Sequence, residues 1–307
     1  MEILIYGYGK RVEEVILPAA KQVFSRIYIS GRNEKKIKKL AETFSCDIIK
    51  ESEYHLLKNL SHIYVGTPNN VFIPIIEKLK SFFDRDINLF LETPIIGLIS
   101  NYKILKYKKY FKRISVAEDY IFSPILDILS KLKKNADIKK IDYINSGYHI
   151  HSLAVGFKLS NSKKIIFSNK YNENFYFKLY DLSIKILNFN NTEPAIVFST
   201  LNEKITFFHL SELGKINVEI DGKNSRNKKI FSFSFNKLNL NIKDKESLLR
   251  IYSCINMFRN HENEILSLLD NNTYISLIVK FLSKFGFFFD LYFFRRSFIN
   301  YLFKLMI

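Results

Sequence analysis

The chain has 307 residues, 47% of them hydrophobic and 25% charged, with a formal net charge of +17. Those proportions leave room for two separate cores and exclude a disordered or collagen-like chain. Lysine, isoleucine, asparagine and phenylalanine run high throughout, and the lysines are scattered rather than gathered with stacking aromatics, so the charge is discounted as a nucleic-acid signal and is compatible with an anionic substrate or a membrane surface.

The chain opens with the apolar run Ile3-Leu4-Ile5-Tyr6, then Gly7-Tyr8-Gly9, then a helix-like stretch through Val15-Ile16-Leu17 and a second apolar run at Ile27-Tyr28-Ile29. Strand, glycine turn, helix, strand is the unit that binds a dinucleotide pyrophosphate. Gly7 permits the tight turn, and Gly9 lets a phosphate approach the backbone with no Cβ in the way. The following helix aims free N–H groups at the anion. Cofactor contacts are expected at Gly7, Tyr8, Gly9, Lys10 and Arg11. The third glycine of the usual G-x-G-x-x-G is Val12 here, so the match is partial. The alternative is a plain βαβ unit whose glycines only make a turn.

The second strand ends at Ser30-Gly31-Arg32-Asn33. An NAD-preferring site places an acid near this point to take the ribose hydroxyls. No acid appears before Glu34, while Arg32 could pair with a 2′-phosphate and Ser30 and Asn33 could add hydrogen bonds. The expected cofactor is therefore NADP, with NAD as the alternative. Helix is predicted over Glu34–Phe44, a short strand at Asp47-Ile48-Ile49, and a short helix over Ser52–Leu60 with Ser52 as N-cap. The strand His62-Ile63-Tyr64-Val65 runs into Gly66-Thr67-Pro68-Asn69-Asn70, and Asn69 could cap a helix over Val71–Leu79. Strand Ile87–Leu91 ends in Glu92-Thr93-Pro94, helix follows over Asn101–Tyr110, and Ile114–Ala117 closes the sheet. This alternation predicts a parallel, doubly wound sheet.

In order and spacing through residue 124, these motifs, with Val116-Ala117-Glu118-Asp119-Tyr120, resemble the glucose–fructose oxidoreductase / inositol dehydrogenase family, often called Gfo/Idh/MocA. The resemblance implies an NAD(P)-dependent oxidoreductase acting on a sugar, polyol or similar carbonyl compound. It implies that Thr67, Pro68 and Asn69 touch the cofactor and that the Glu92-Thr93-Pro94 turn supports its nicotinamide end. Two positions depart from the family pattern: the motif lysine is Thr93, and the histidine beyond the T-P motif is Phe72. A threonine hydroxyl can hydrogen-bond a carbonyl oxygen but does not ionise near pH 7.

Helix is next predicted over Ile125–Lys134 and strand over Ile138–Asn145. Tyr148-His149-Ile150-His151-Ser152 then opens a helix through Leu159. The family places a histidine at the start of such a helix, facing the nicotinamide. His151 or His149 could fill that role, and imidazole has the pKa range of a general acid. The alternative for each is a polar strand-end or helix-cap histidine. Tyr120 and Tyr148 are secondary proton-donor candidates.

From Lys164 to Lys243 the pattern becomes short and alternating, with a hairpin signal at Asp221-Gly222. It predicts a mostly antiparallel sheet backed by helices, whose open face in the family commonly makes a subunit interface. Helix is predicted over Lys245–Leu269, and His261-Glu262-Asn263-Glu264 lacks the second histidine of a metal site. The tail Tyr274–Ile307 is crowded with phenylalanine and tyrosine. It reads as a buried helix pair or oligomer contact, with an interfacial membrane helix as the alternative.

The domain reading is an NAD(P)-binding Rossmann domain over residues 1–120 and an α+β substrate and oligomerisation domain over 121–307. Cys46 and Cys254 are far apart and suggest neither a disulfide framework nor a metal site. A chain that starts on a strand has no evident signal peptide, and no apolar run reaches the roughly 18 residues of a spanning helix. A cytoplasmic homo-oligomer is expected. The functional alternative, carried by Thr93, is an inactive binding or scaffold subunit that keeps the dinucleotide fold.

Overall fold

The structure, a computed structural model, describes residues 1–83, 86–93, 99–132, 138–146, 149–160, 165–171, 174–189, 194–208, 215–223, 225–232, 245–259 and 289–290. Two compact units emerge, and both are discontinuous in sequence. Met1–Pro124 joins Ser234–Leu277, and Ile125–Phe233 joins Ile278–Ile307.

The first unit opens with β1 (Glu2–Tyr6), a π-helical segment at Val12–Ile16 and α1 (Leu17–Ala20). Pro18 accounts for the wide turn. It has no N–H, and its ring clashes with the carbonyl four residues back. The helix instead closes an i→i+5 bond from Leu17 N–H to Val12 O. Then come β2 (Arg26–Ser30), α2 (Glu34–Phe44) and β3 (Asp47–Ile48). The boundaries of α2 match the expectation, and its N-cap is Asn33, which accepts from Lys36 N–H. The helix expected over Ser52–Leu60 is a 3₁₀ segment at Glu51–Leu56 whose N-cap position is Lys50, not Ser52, and Glu53 Oε2 accepts the Lys50 backbone N–H at 2.9 Å. β4 (Leu60–Val65) takes the last residue of that expected helix, Leu60, after a turn at residues 58–59. α3 (Phe72–Leu79) follows a 3₁₀ turn at Asn69–Val71, and its N-cap position, Val71, has no side-chain cap. β5 (Asn88–Leu91) and β6 (Arg113–Val116) complete the sheet, and the helix expected between them winds as 3₁₀ turns over Ile99–Tyr110.

The six strands lie in the order β3-β2-β1-β4-β5-β6, every neighbouring pair parallel. This is the order of a Rossmann sheet, with its crossover between β1 and β4. Buried on both faces, the central strands read as continuous apolar runs: Ile3, Leu4, Ile5, Ile63, Tyr64 and Val65 are fully buried.

The second unit holds most of α4 (Pro124–Lys131), then β7 (Lys140–Ile144) and α5 (His149–Leu159). β8 (Ile165–Tyr171), β9 (Asn174–Leu179), β10 (Ser183–Leu187), β11 (Ala195–Ser199), β12 (Glu203–Phe208), β13 (Lys215–Gly222) and β14 (Arg226–Ser232) follow. With β15 (Phe289–Asp290) they form one sheet ordered β14-β13-β12-β11-β7-β10-β9-β8-β15. Only β7 and β10 pair in parallel, and the rest is antiparallel, as predicted. Asp221-Gly222 makes the expected hairpin, closed by Gly222 N–H to Ser225 O at 2.8 Å. Gly156 lets α5 lie against β10, because a Cβ there would sit 2.1 Å from Ile184 Cδ1.

The helix α6 (Lys245–Arg259) belongs to the first unit, although the sequence reading gave it to the second domain. It packs on Val12–Ile16, on α1 and on the 3₁₀ turn Asp119–Phe122. This is why Val15, Ile16, Leu17, Ala19 and Ala20 are all buried. The sheet covers one side of that stretch and α6 the other. Phe258 closes the contact, with its ring centroid 5.4 Å from those of Phe24 and Phe90, edge to face in both. The tail Tyr274–Ile307, apart from β15, and His261-Glu262-Asn263-Glu264 lie outside the described residues.

Candidate functional site

The carboxyl ends of β1, β2, β4, β5 and β6 gather most of the sequence-predicted residues. At β1 the turn is tight. Gly7 has φ +141°, and a Cβ there would lie 2.4 Å from Gly66 O. Only glycine fits both the dihedral and the approach. Gly9 is different: a Cβ would meet nothing within 4 Å. The open space stands at the start of the helix, where Glu13 N–H bonds Gly9 O at 3.1 Å. Val12 occupies the place of the third glycine without clash because the residue after β4 is a glycine, Gly66. A Cβ on Gly66 would come 2.6 Å from Val12 Cγ2. The close helix–sheet approach is thus provided from the sheet side.

Beyond β2, a cavity of about 370 Å³ is lined by Gly31, Arg32, Lys38, Ile48, Lys50 and Glu51 among others. Arg32 is exposed at its edge. Ser30 is buried, and its Oγ accepts the Tyr54 hydroxyl at 2.9 Å. Asn33 Oδ1 is engaged as the α2 cap. Glu51 is held by the Tyr6 hydroxyl at 3.0 Å and Lys78 at 2.9 Å. These bonds hold Glu51 below the usual carboxylate range, Lys78 contributing most. Burial, then the bond to Glu51, pushes the Tyr6 phenol up to about 12. The Tyr8 ring lies over Gly31, where a Cβ would be 2.9 Å from Tyr8 Cδ1. The Lys36 ammonium stands 5.6 Å from the Tyr8 ring centre.

At β4, β5 and β6 a cluster of charges forms around the fully buried Asp119, with Arg11, Glu92 and Arg250 half-buried. Arg11 turns inward from the glycine turn. Its Nη2 donates to Asp119 Oδ1 at 2.9 Å and to Ala117 O at 3.0 Å. Its Nε lies 3.0 Å from Glu92 Oε2, an ion contact off the N–H axis. Glu92 also accepts the Tyr64 hydroxyl and the backbone N–H of Thr93, the latter at 2.9 Å. The Thr93 hydroxyl is 3.5 Å from the same Glu92 Oε1. Arg250 of α6 brings its Nε to Asp119 Oδ2 at 3.2 Å. Burial opposes charge on Arg11, but Asp119 and then Glu92 outweigh it and hold the guanidinium well above its ordinary pKa. Burial, reinforced by Glu92, raises the Tyr64 phenol far above the ordinary range, so it stays a donor. Burial likewise raises the neighbouring Cys254 thiol.

Thr67 and Pro68 follow β4 at the same edge of the sheet, and Thr67 Oγ1 is buried with no hydrogen-bond partner among the described residues. Lys10 is exposed, with its ammonium 3.7 Å from Glu14 Oε2. The Asn69 side chain and Pro94 lie outside the described residues, as do Tyr148 and the side chain of His149. His149 and His151 open α5 in the second unit, and His151 is half-buried. Among the described residues no group of three or more His, Cys, Asp or Glu could hold a metal ion. No helix among them is long and apolar enough to cross a membrane.

Asp119, Arg250, Tyr64 and Tyr54 had no assigned role in the sequence reading. One signal was available for Arg250: it is a cation among Leu248, Leu249, Ile251, Tyr252 and Ile255.

No protein-family model matches the sequence, and no curated protein is similar to it. Solved structures do match. A dehydrogenase from Clostridium difficile has a TM-score of 0.66 at 13% identity, over 91% of this chain and 99% of the other. A levoglucosan dehydrogenase solved with NADH and levoglucosan has a TM-score of 0.66 at 12% identity, over 94% and 98%. A 3-ketoreductase from Actinomadura kijaniata, solved with NADP and TDP-benzene, has a TM-score of 0.64 at 9% identity, over 91% and 95%. These neighbours are of the Gfo/Idh/MocA type, which the sequence motifs resemble. The chain has the fold of these dehydrogenases and reductases.

Proposed function

We propose that the chain is an NADP-dependent oxidoreductase of the Gfo/Idh/MocA type that acts on a sugar-like carbonyl or hydroxyl compound. The observation that carries this reading is the carboxyl edge of the parallel sheet. There, a turn only glycine can make, the open space at Gly9 and the Arg32 cavity follow the path of a dinucleotide. The buried, unpartnered Thr67 Oγ1 supplies a waiting polar contact on that path. The fold shared with a 3-ketoreductase solved with NADP and a dehydrogenase solved with NADH adds support.

Residue roles follow from the chemistry available. Gly7, Tyr8, Gly9 and Lys10 present backbone to the pyrophosphate. Arg32 pairs with the 2′-phosphate, with Lys38 and Lys50 adding positive field on the same cavity. Ser30 and Asn33 shape this end through Tyr54 and α2. Bound NADP would supply a hydride donor or acceptor. Thr67, Pro68, Asn69 and Glu92 line and brace its nicotinamide end, and Thr93 offers a hydrogen bond there. Proton transfer falls to His151 or His149, since the Thr93 hydroxyl does not ionise near neutrality. The reading includes a cytoplasmic homo-oligomer and a substrate that the basic chain would favour as an anion. Thr93 favours a second reading, a non-catalytic subunit that still binds the cofactor.

The test is thermal melting with NADPH, NADH and neither. A ligand that binds only the native state raises the melting temperature. A larger rise with NADPH, abolished by Arg32→Gln, is expected. No rise with either at millimolar concentration would overturn the proposal. Cofactor binding without turnover of any sugar substrate would select the non-catalytic reading.

A further inference from the structure

We propose that Arg250, carried by α6, is a positioning residue for the dinucleotide turn. The proposal rests on the cofactor reading above. Asp119 is fully buried and its two oxygens face different arginines, Oδ1 to Arg11 at 2.9 Å and Oδ2 to Arg250 at 3.2 Å. Arg11 in turn reaches Glu92 at the end of β5. Among the described residues, two guanidiniums here face two carboxylates, with the Tyr64 hydroxyl as a further donor.

The chain of contacts has a direction. Arg11 sits two residues beyond Gly9, in the first helical turn, and its side chain is held by groups that follow β5 and β6. Holding Arg11 holds the backbone N–H groups of that turn, which face the pyrophosphate path. Arg250 matters because, of the two guanidiniums seen at Asp119 among the described residues, removing it leaves Arg11 to face both Asp119 and Glu92. The Arg11 side chain must then redistribute between the two carboxylates, and the turn moves with it. Buried ion clusters specify geometry more than they add stability, and precise sites need such supports. Arg250 reaches neither the Arg32 cavity nor its lining, so the adenosine end of the site is outside its influence.

The experiment compares two ligands by calorimetry on the full chain. NADPH spans the glycine turn, whereas 2′-AMP, the adenosine end alone, reaches only the cavity beyond β2. Wild type should bind both. Arg250→Met should lose about tenfold in NADPH affinity, roughly 1.4 kcal/mol, with 2′-AMP affinity unchanged. Arg250→Lys, which keeps the charge, should recover part of the loss. A folded Arg250→Met that binds NADPH as wild type does, or that loses both ligands equally, overturns the inference. If Arg250→Met does not fold, an unchanged ratio of the two affinities in Arg250→Lys overturns it. Wild type that binds neither ligand overturns instead the cofactor reading beneath it.

Discussion

Alanine at Gly7 and alanine at Gly9 should have opposite consequences, although both residues sit in one turn. At Gly7 the φ of +141° is open to glycine and strained for any other residue, and the new Cβ would lie 2.4 Å from Gly66 O and 2.9 Å from Gly66 C. Both atoms are backbone, so no side chain can rotate away. The dihedral costs about 1–3 kcal/mol. Forcing the ends of β1 and β4 apart adds about 1–3 kcal/mol. The sum, about 2–6 kcal/mol, is a large share of the roughly 5–15 kcal/mol that holds a domain folded. In a chain of this size it should lower the melting temperature by about 10 °C. Gly9→Ala meets nothing within 4 Å, and its φ is ordinary. Its stability should stay within about 1 kcal/mol of wild type, with any change upward through the less flexible unfolded chain. Its NADPH affinity should fall by about tenfold or more, because the methyl group enters the pyrophosphate path. Differential scanning calorimetry and NADPH titration of both variants decide the matter. A Gly7→Ala protein that melts with wild type, or a Gly9→Ala protein that binds NADPH normally, would refute the reasoning.

The docking of α6 predicts that Phe258→Ala, which empties a fully buried site between Phe24 and Phe90, costs about 3–5 kcal/mol. Urea unfolding measures this, and a loss below about 1 kcal/mol would contradict the packing. Burial pushes the Cys46 thiol up to about 11, with Lys21 partly opposing. At pH 8 about one Cys46 in a thousand is then thiolate, against roughly one in four for an ordinary thiol. Cys46 should therefore react with Ellman's reagent about a hundredfold more slowly than a free thiol, speeding up tenfold per pH unit toward pH 10. Cys254 should react only on unfolding. The sign for stability follows: a raised thiol pKa contributes stability that is full below about pH 8.5 and declines as pH rises through about 11. Ordinary reactivity of Cys46 at pH 8 would refute its burial.

Much of the first unit was legible because its signals are local. Apolar runs of strand length, the Gly7-Tyr8-Gly9 turn and the 3.6-residue period of α2 each lie within a dozen residues, and the parallel sheet followed from their alternation. The hairpin at Asp221-Gly222 was legible for the same reason. The place of β10 was not legible: Ser183-Ile184-Lys185-Ile186-Leu187 is short and half polar, and its parallel pairing with β7 and antiparallel pairing with β9 are set by the sheet. The Ser52 helix was misjudged because the strand pairing of β4 claimed its last residue.

What the chain by itself determined is a dinucleotide-type sheet with an alternating second half, together with the turn at Gly7 that no residue but glycine can make. Periodicity and backbone sterics act over a few residues, so they are written locally. The tertiary structure alone decided that α6 joins the first unit, that Arg11 faces Glu92 and Asp119, and that Arg250 completes the cluster from 131 residues beyond Asp119. Charge pairing across that separation leaves no local period. It depends on which buried carboxylate the fold brings within reach of a guanidinium, and on the low dielectric that makes the pairing matter.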